Sequence, residues 1–154
     1  MKAHRDPLPL AGKRVLLAED EPNARAVLSR VLRAMGCDVV EAADGGRMLV
    51  AVTSEYKDGH DPAGLDLIVT DVRMPVVDGL DVLRALRAAR WATPVIVVTG
   101  DDGAAVREAT SRLGATVLPK PLDIGALEAA VLRLLVPPRS SPRRSAPAAA
   151  PWSS

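Results

Sequence analysis

Acidic, hydroxyl and ammonium side chains stand at the ends of apolar runs along this chain, a pattern suited to handling phosphate. RVLLA (14–18) runs into Glu19 and Asp20, with Glu21 next; DLIVT (66–70) runs into Asp71, PVIVV (94–98) into Thr99 and ATVLP (115–119) into Lys120. If these runs are strands of one open parallel sheet, ligands bind beyond their carboxyl ends, and three carboxylates, a hydroxyl and an ammonium converge there. Glu19, Asp20 and Asp71 in close company resist ionisation unless a cation joins them. A hard divalent ion, Mg²⁺ or Mn²⁺, fits best, because it takes oxygen ligands from a few carboxylates and keeps sites for water and a phosphate. Glu19 or Glu21 taken singly reads as a solvated strand end, whereas the whole set at four strand ends points to chemistry. Phosphoryl transfer requires a nucleophile in line and neutralised charge on the equatorial oxygens. Asp71 can be the nucleophile, with the metal, the Lys120 ammonium and the Thr99 hydroxyl each facing a phosphoryl oxygen.

The elements that would position these groups are legible in the spacing. Five short runs, the four above and DVVEA (38–42), read as strands, and the first, third and fourth are apolar enough to be buried on both faces. Between them Val27, Leu28, Val31, Leu32 and Met35 repeat at threes and fours, as do Leu80, Val82, Leu83 and Leu86, then Ile124, Leu127, Val131 and Leu134, which predicts helix faces packed on the sheet. Pro22 suits a first helical turn, Gly36 a helix end, and Asp123 a cap for the last helix. Five βα units imply an α/β fold, a parallel sheet doubly wound with helices on both faces. The polar stretch SEYKDGHDPAG (54–64) reads as an exposed connection.

A chain of 154 residues is sufficient for one domain with a sizeable core. It has no Phe, two Trp and one Tyr, so aliphatic residues must fill that core. Cys37 is alone, which excludes an internal disulfide framework, fits a reducing compartment and reads as a small buried apolar residue. No stretch approaches the roughly 18 apolar residues of a membrane span, and the first residues do not resemble a signal peptide. A cytoplasmic location with no membrane partner is expected. The expected division is an N-terminal extension (1–12), one domain (13–136) and a disordered Pro/Ser/Ala/Arg tail (137–154). The net charge is +1, yet three of the 20 basic residues, Arg139, Arg143 and Arg144, lie in the tail; the remaining 17 against 19 acids leave the body at about −2. An acidic body, and a tail without an element to enter a groove, argue against sequence-specific DNA binding.

Taken together, LLAEDEP, TDVRMPVVDGL, VVTG and LPKP, in this order, make the chain resemble a receiver domain of the two-component response-regulator family, over about residues 13–136. The resemblance implies a flavodoxin-like fold with strand order 2-1-3-4-5 and a phosphoacceptor at Asp71, charged by a histidine kinase or a histidine phosphotransfer protein. It implies that Asp20 and Asp71 bind the metal directly, that Glu19 acts mainly through water, that the backbone carbonyl of Arg73 completes the protein ligands, and that Thr99 and Lys120 contact the phosphoryl group. It also implies a cis Lys120-Pro121 bond, a loop built on Met74-Pro75 and Asp78-Gly79, and Arg73 and Asp101 flanking the route of water to the phosphoryl group. The output would be altered affinity for a protein partner, through the fourth helix, fifth strand and fifth helix. Two departures stand out. Val117 occupies the position, three before the lysine, where many relatives carry an aromatic ring that swings inward on activation. The sequence also ends soon after the fifth helix, where many relatives continue into an output domain, which implies the single-domain type.

Other readings differ at identifiable residues. An aspartate-nucleophile phosphatase of the haloacid-dehalogenase type expects a second catalytic Asp two positions after the first, where this chain has Arg73. A receiver-like module controlled by partner contact without phosphate accords with Val117 and conflicts with the complete acid, hydroxyl and lysine set. His4 and His60 read as solvated surface residues, and Trp91 as a packing residue at a helix end.

Overall fold

The structure is a computed structural model that describes residues 8–56, 64–100 and 103–136. Its elements alternate in chain order: β1 (Arg14–Ala18), α1 (Pro22–Ala34), β2 (Asp38–Ala42), α2 (Gly45–Tyr56), β3 (Leu67–Asp71), α3 (Gly79–Ala88), β4 (Val95–Thr99), α4 (Ala104–Arg112), β5 (Thr116–Pro119) and α5 (Ile124–Leu135). The strands form one parallel sheet in the order β2-β1-β3-β4-β5, the flavodoxin-like arrangement. The third and fourth strands begin one residue later than the apolar runs suggest and end on Asp71 and Thr99, so both groups belong to the sheet itself.

Side-chain alternation along the strands builds the two layers. Leu16, Ile68 and Val97 face one way, onto Met48 and Val52 of α2 and Leu83 and Leu86 of α3. Leu17, Val69 and Ile96 face the other way, onto Leu28 and Leu32 of α1 and Leu127 and Val131 of α5. Each such side chain taken fully out of water contributes about 1.5–3 kcal/mol. The central strands β3 and β4 are therefore buried throughout, as their unbroken apolar runs require. Leu10, upstream of β1, is also fully buried, and its N–H bonds the Met35 carbonyl at 3.1 Å. Cys37 and Trp91 are buried; burial pushes the Cys37 thiol above its usual pKa, and Asp38 and Asp66 push it further.

Helix ends follow the local chemistry. Pro22 lies in the first turn of α1, behind a Glu21 carboxylate that accepts from the N–H groups of Asn23 and Ala24. Asp78 caps α3 through the Leu80 N–H, and Asp123 caps α5 through Gly125 and Ala126. Lys120-Pro121 is cis. Helix α2 runs on to Tyr56, into the stretch read from sequence as a connection, and residues 57–63 of that stretch, with His60, lie outside the described residues, as do His4, Asp101 and the tail from 137. No described helix is long and apolar enough to cross a membrane.

One predicted core position faces outward. Val27 is 51% exposed, while Leu28, one step of about 100° around the helix, is buried. Val31, a turn further along the same flank, reaches the layer beneath α1 and α5, and Val27 does not. The buried face of α1 includes Ser29 instead, whose hydroxyl has no hydrogen-bond partner. A buried unpaired hydroxyl is unfavourable, and alanine is the better helix former. Ser29→Ala is therefore expected to gain about 1 kcal/mol, read as a higher denaturation midpoint at unchanged slope. A lower midpoint would show that the hydroxyl is needed.

Candidate functional site

The carboxyl edge of the sheet collects the site. Glu19 and Asp20 fill the step from β1 to α1, and their backbone is tied on two sides: the Glu19 N–H bonds the Ala42 carbonyl at 3.0 Å, and Arg25 Nη1 donates to the Glu19 carbonyl at 2.8 Å. Asp71 ends β3. Its Oδ2 accepts from Lys120 Nζ at 2.6 Å, and its Oδ1 accepts from the Arg73 N–H at 3.3 Å. Lys120 follows β5, with its own N–H on the Thr99 carbonyl at 2.9 Å and its ammonium 3.5 Å from Glu19 Oε1. Thr99 is buried at the end of β4, next to Val98, the partner of Asp71 in the sheet.

The side chains of Glu19, Asp20, Asp71 and Lys120 thus meet, as their strand-end positions require, with Thr99 at the adjoining strand end and Arg73 in the loop that follows Asp71. Glu19 is 2% exposed and Asp71 is 7% exposed, whereas Asp20 is open to solvent. Burial raises the pKa of the Glu19 carboxyl; Lys120 opposes this, and the charge and hydrogen bonding of Asp71 reinforce it. For Lys120 burial alone would lower the pKa, but hydrogen bonds and attraction from Asp71 and Glu19 outweigh it and hold the ammonium above its usual value.

One carboxylate oxygen from each of Glu19, Asp20 and Asp71 lies within 4.8 Å of the others. An all-oxygen set without nitrogen or sulfur suits a hard cation such as Mg²⁺, so the residues present fit a divalent ion. Lys120 supplies the positive charge at this site in the structure. Lys120→Ala would leave two buried neighbouring acids without it, and is expected to lose about 2 kcal/mol of stability in EDTA; a fully buried pair loses more, but this side chain is about a third exposed. Saturating Mg²⁺ should return most of that loss, since a ligand that binds only the folded state stabilises it. Melting curves with and without the ion check this, and equal losses in both would exclude a cation among these acids.

Two residues that the sequence pattern left unremarked hold backbone carbonyls. Thr70, fully buried in β3, donates its hydroxyl to the Asp71 carbonyl at 2.8 Å. Arg87 of α3 donates to three backbone carbonyls further from the site. The available signal for Thr70 was a hydroxyl inside an otherwise aliphatic buried run.

Residues 15–132 match the family model of the response regulator receiver domain. The chain belongs to this family. Its receiver domain is 36% identical over 115 residues to sensor protein EvgS of Escherichia coli O157:H7, covering 74% of this chain and 9% of EvgS. It is 37% identical over 119 residues to the transcriptional regulatory protein TcrA of Mycobacterium tuberculosis, covering 77% of this chain and 44% of TcrA. The chain therefore spans less than half the length of either relative. Among solved structures, the Francisella response regulator 1452 receiver domain superposes with a TM-score of 0.70 at 27% identity, covering 80% of this chain and 96% of that one. Receiver domains are parts of two-component signalling and act as switches, not as turnover enzymes.

Proposed function

We propose that this receiver domain is a phosphorylation-dependent switch in a two-component phosphorelay, with Asp71 as its phosphoacceptor. The observation that carries the reading is a buried carboxylate at a central strand end, 2.6 Å from the Lys120 ammonium and grouped with Glu19 and Asp20. A carboxylate oxygen of Asp71 forms the new O–P bond as the bond from phosphorus to the donor's imidazole nitrogen, or to the acetate oxygen of acetyl phosphate, breaks and its electron pair leaves with the donor. Lys120 exchanges its contact with the free carboxylate for one with a phosphoryl oxygen, and the Thr99 hydroxyl donates to another. Asp20, Asp71 and the Arg73 carbonyl would hold Mg²⁺ directly, and Glu19 through water. The ion neutralises phosphoryl charge when bound.

The donor would be a histidine kinase or a histidine phosphotransfer protein, and the output a protein partner that distinguishes the two states. Added charge at Asp71 would bias the segment after Thr99 and the surface of α4, β5 and α5. Helix α4 suits such a role because it buries a single residue, Thr110. With Val117 in place of an aromatic ring, Thr99 would move without a ring moving in step. The N-terminal residues and the tail from 137 lie outside this machinery, and DNA is not the target.

Intact-mass measurement after incubation with acetyl phosphate and Mg²⁺, followed by peptide mapping, tests the reading. A gain of one phosphoryl group on the peptide carrying Asp71 is expected. No gain, or a gain mapped elsewhere, would overturn it.

A further inference from the structure

We infer that Thr70 is a positioning residue for Asp71, its hydroxyl fixing the peptide that aims the carboxylate and the following loop. The inference rests on the reading of Asp71 as the phosphoacceptor and adds to it how that group is held. The ladder between β1 and β3 ends at Ala18 opposite Thr70, so Asp71 stands one residue past its last partner on that side. The Thr70 hydroxyl takes up the Asp71 carbonyl at 2.8 Å. Met48 Sδ lies 3.6 Å from Thr70 Oγ1, but a hydroxyl has one proton, and the nearer carbonyl is much the stronger acceptor.

The other side of that carbonyl is closed by the start of α3. A Cβ at Gly79 would stand 2.1 Å from the Asp71 carbonyl oxygen and 3.0 Å from Thr70 Oγ1, so only glycine permits the approach. The Gly79 N–H then bonds the Val72 carbonyl at 2.9 Å. The peptide after Asp71 is thus held between a hydroxyl and a bare backbone, and from it the chain turns so that the Arg73 N–H meets Asp71 Oδ1 at 3.3 Å. Valine would fill the Thr70 site equally well by shape, and Thr70 lies on the face of β3 that Ile68 turns to the apolar layer, with Met48 beside it. A threonine in that layer contributes orientation, which in-line transfer needs and folding does not.

The test compares Thr70→Val, which keeps the shape, with Thr70→Ser, which keeps the hydroxyl. The Asp71 labelling rate from acetyl phosphate, Mn²⁺ affinity from the loss of the free-ion EPR signal, and melting temperature are measured for each. Groups that orient a ligand from behind typically contribute 10–100-fold. Thr70→Val is expected to melt within a few degrees of native, to label roughly tenfold more slowly at saturating donor and to bind Mn²⁺ roughly tenfold more weakly, while Thr70→Ser stays within about threefold of native on both. Native behaviour of Thr70→Val, or a Thr70→Ser no better than it, would overturn the inference. If Thr70→Val does not fold, the same contrast is drawn between Thr70→Ser and Thr70→Ala. If the native chain takes no phosphoryl group, the phosphoacceptor reading fails by itself, and the Mn²⁺ comparison alone decides the role of Thr70.

Discussion

Asp71→Asn is expected to remain folded and to stay at unmodified mass under conditions in which the native chain gains one phosphoryl group. The amide has the shape of the carboxylate but is not a nucleophile toward phosphorus, so loss of labelling should be complete. Its stability should change little, because two effects oppose each other. The 2.6 Å ion pair with Lys120 is lost, but so is the repulsion between Asp71 and buried Glu19, and Lys120 keeps Glu19 at 3.5 Å. A shift within a few degrees is expected, at about 2–4 °C per kcal/mol for a domain of this size. The mass spectrum and a melting curve are read on the same sample. Labelling of the folded variant at the native rate would place the acceptor elsewhere, on Glu19 or Asp20.

The largest stability effect is expected at Arg87. Its Nε donates to the Leu113 carbonyl at 2.8 Å, and its Nη1 donates to the carbonyls of Trp91 at 2.6 Å and Thr93 at 2.9 Å. One guanidinium therefore ties the end of α3, the approach to β4 and the end of α4. Burial lowers its pKa. Hydrogen bonds that involve a charged group contribute about 1.5–3 kcal/mol each, and water can replace part of that here because the site is only partly buried. Arg87→Met keeps the apolar stem and removes all three donations, for an expected loss of about 3 kcal/mol and a melting point lower by roughly 10 °C. Arg87→Lys should recover only a minor share, since an ammonium cannot reproduce the planar fork. A native melting point for Arg87→Met would mean that these carbonyls are satisfied without it.

Much of the site was legible in the order of residues because strand ends are local events. A run of four or five aliphatic residues stops where the sheet stops, and the residue that follows sits at the edge where ligands bind. That placed Asp71, Thr99, Lys120 and the Glu19-Asp20 pair correctly to within a residue. Periodicity likewise separated strands from helices, and the interior character of β3 and β4 followed from their unbroken apolar runs. The strand order came from the family resemblance, because alternation of strand and helix specifies a parallel sheet without saying which strands are neighbours.

Tertiary structure decided what depends on distance through space. Glu19 and Asp20 are consecutive acids, yet one is 2% exposed and the other open to water, because Glu19 lies under Lys120, 101 residues later in the chain. Val27 and Leu28 are equally apolar, and only the angle of α1 against its neighbours buries one of them. Thr70 and Arg87 escaped the pattern for a single reason: their partners are backbone carbonyls, which every residue carries. A side chain that bonds a backbone group has no partner type to search for in a sequence, and its role exists only once the fold has brought that carbonyl within reach.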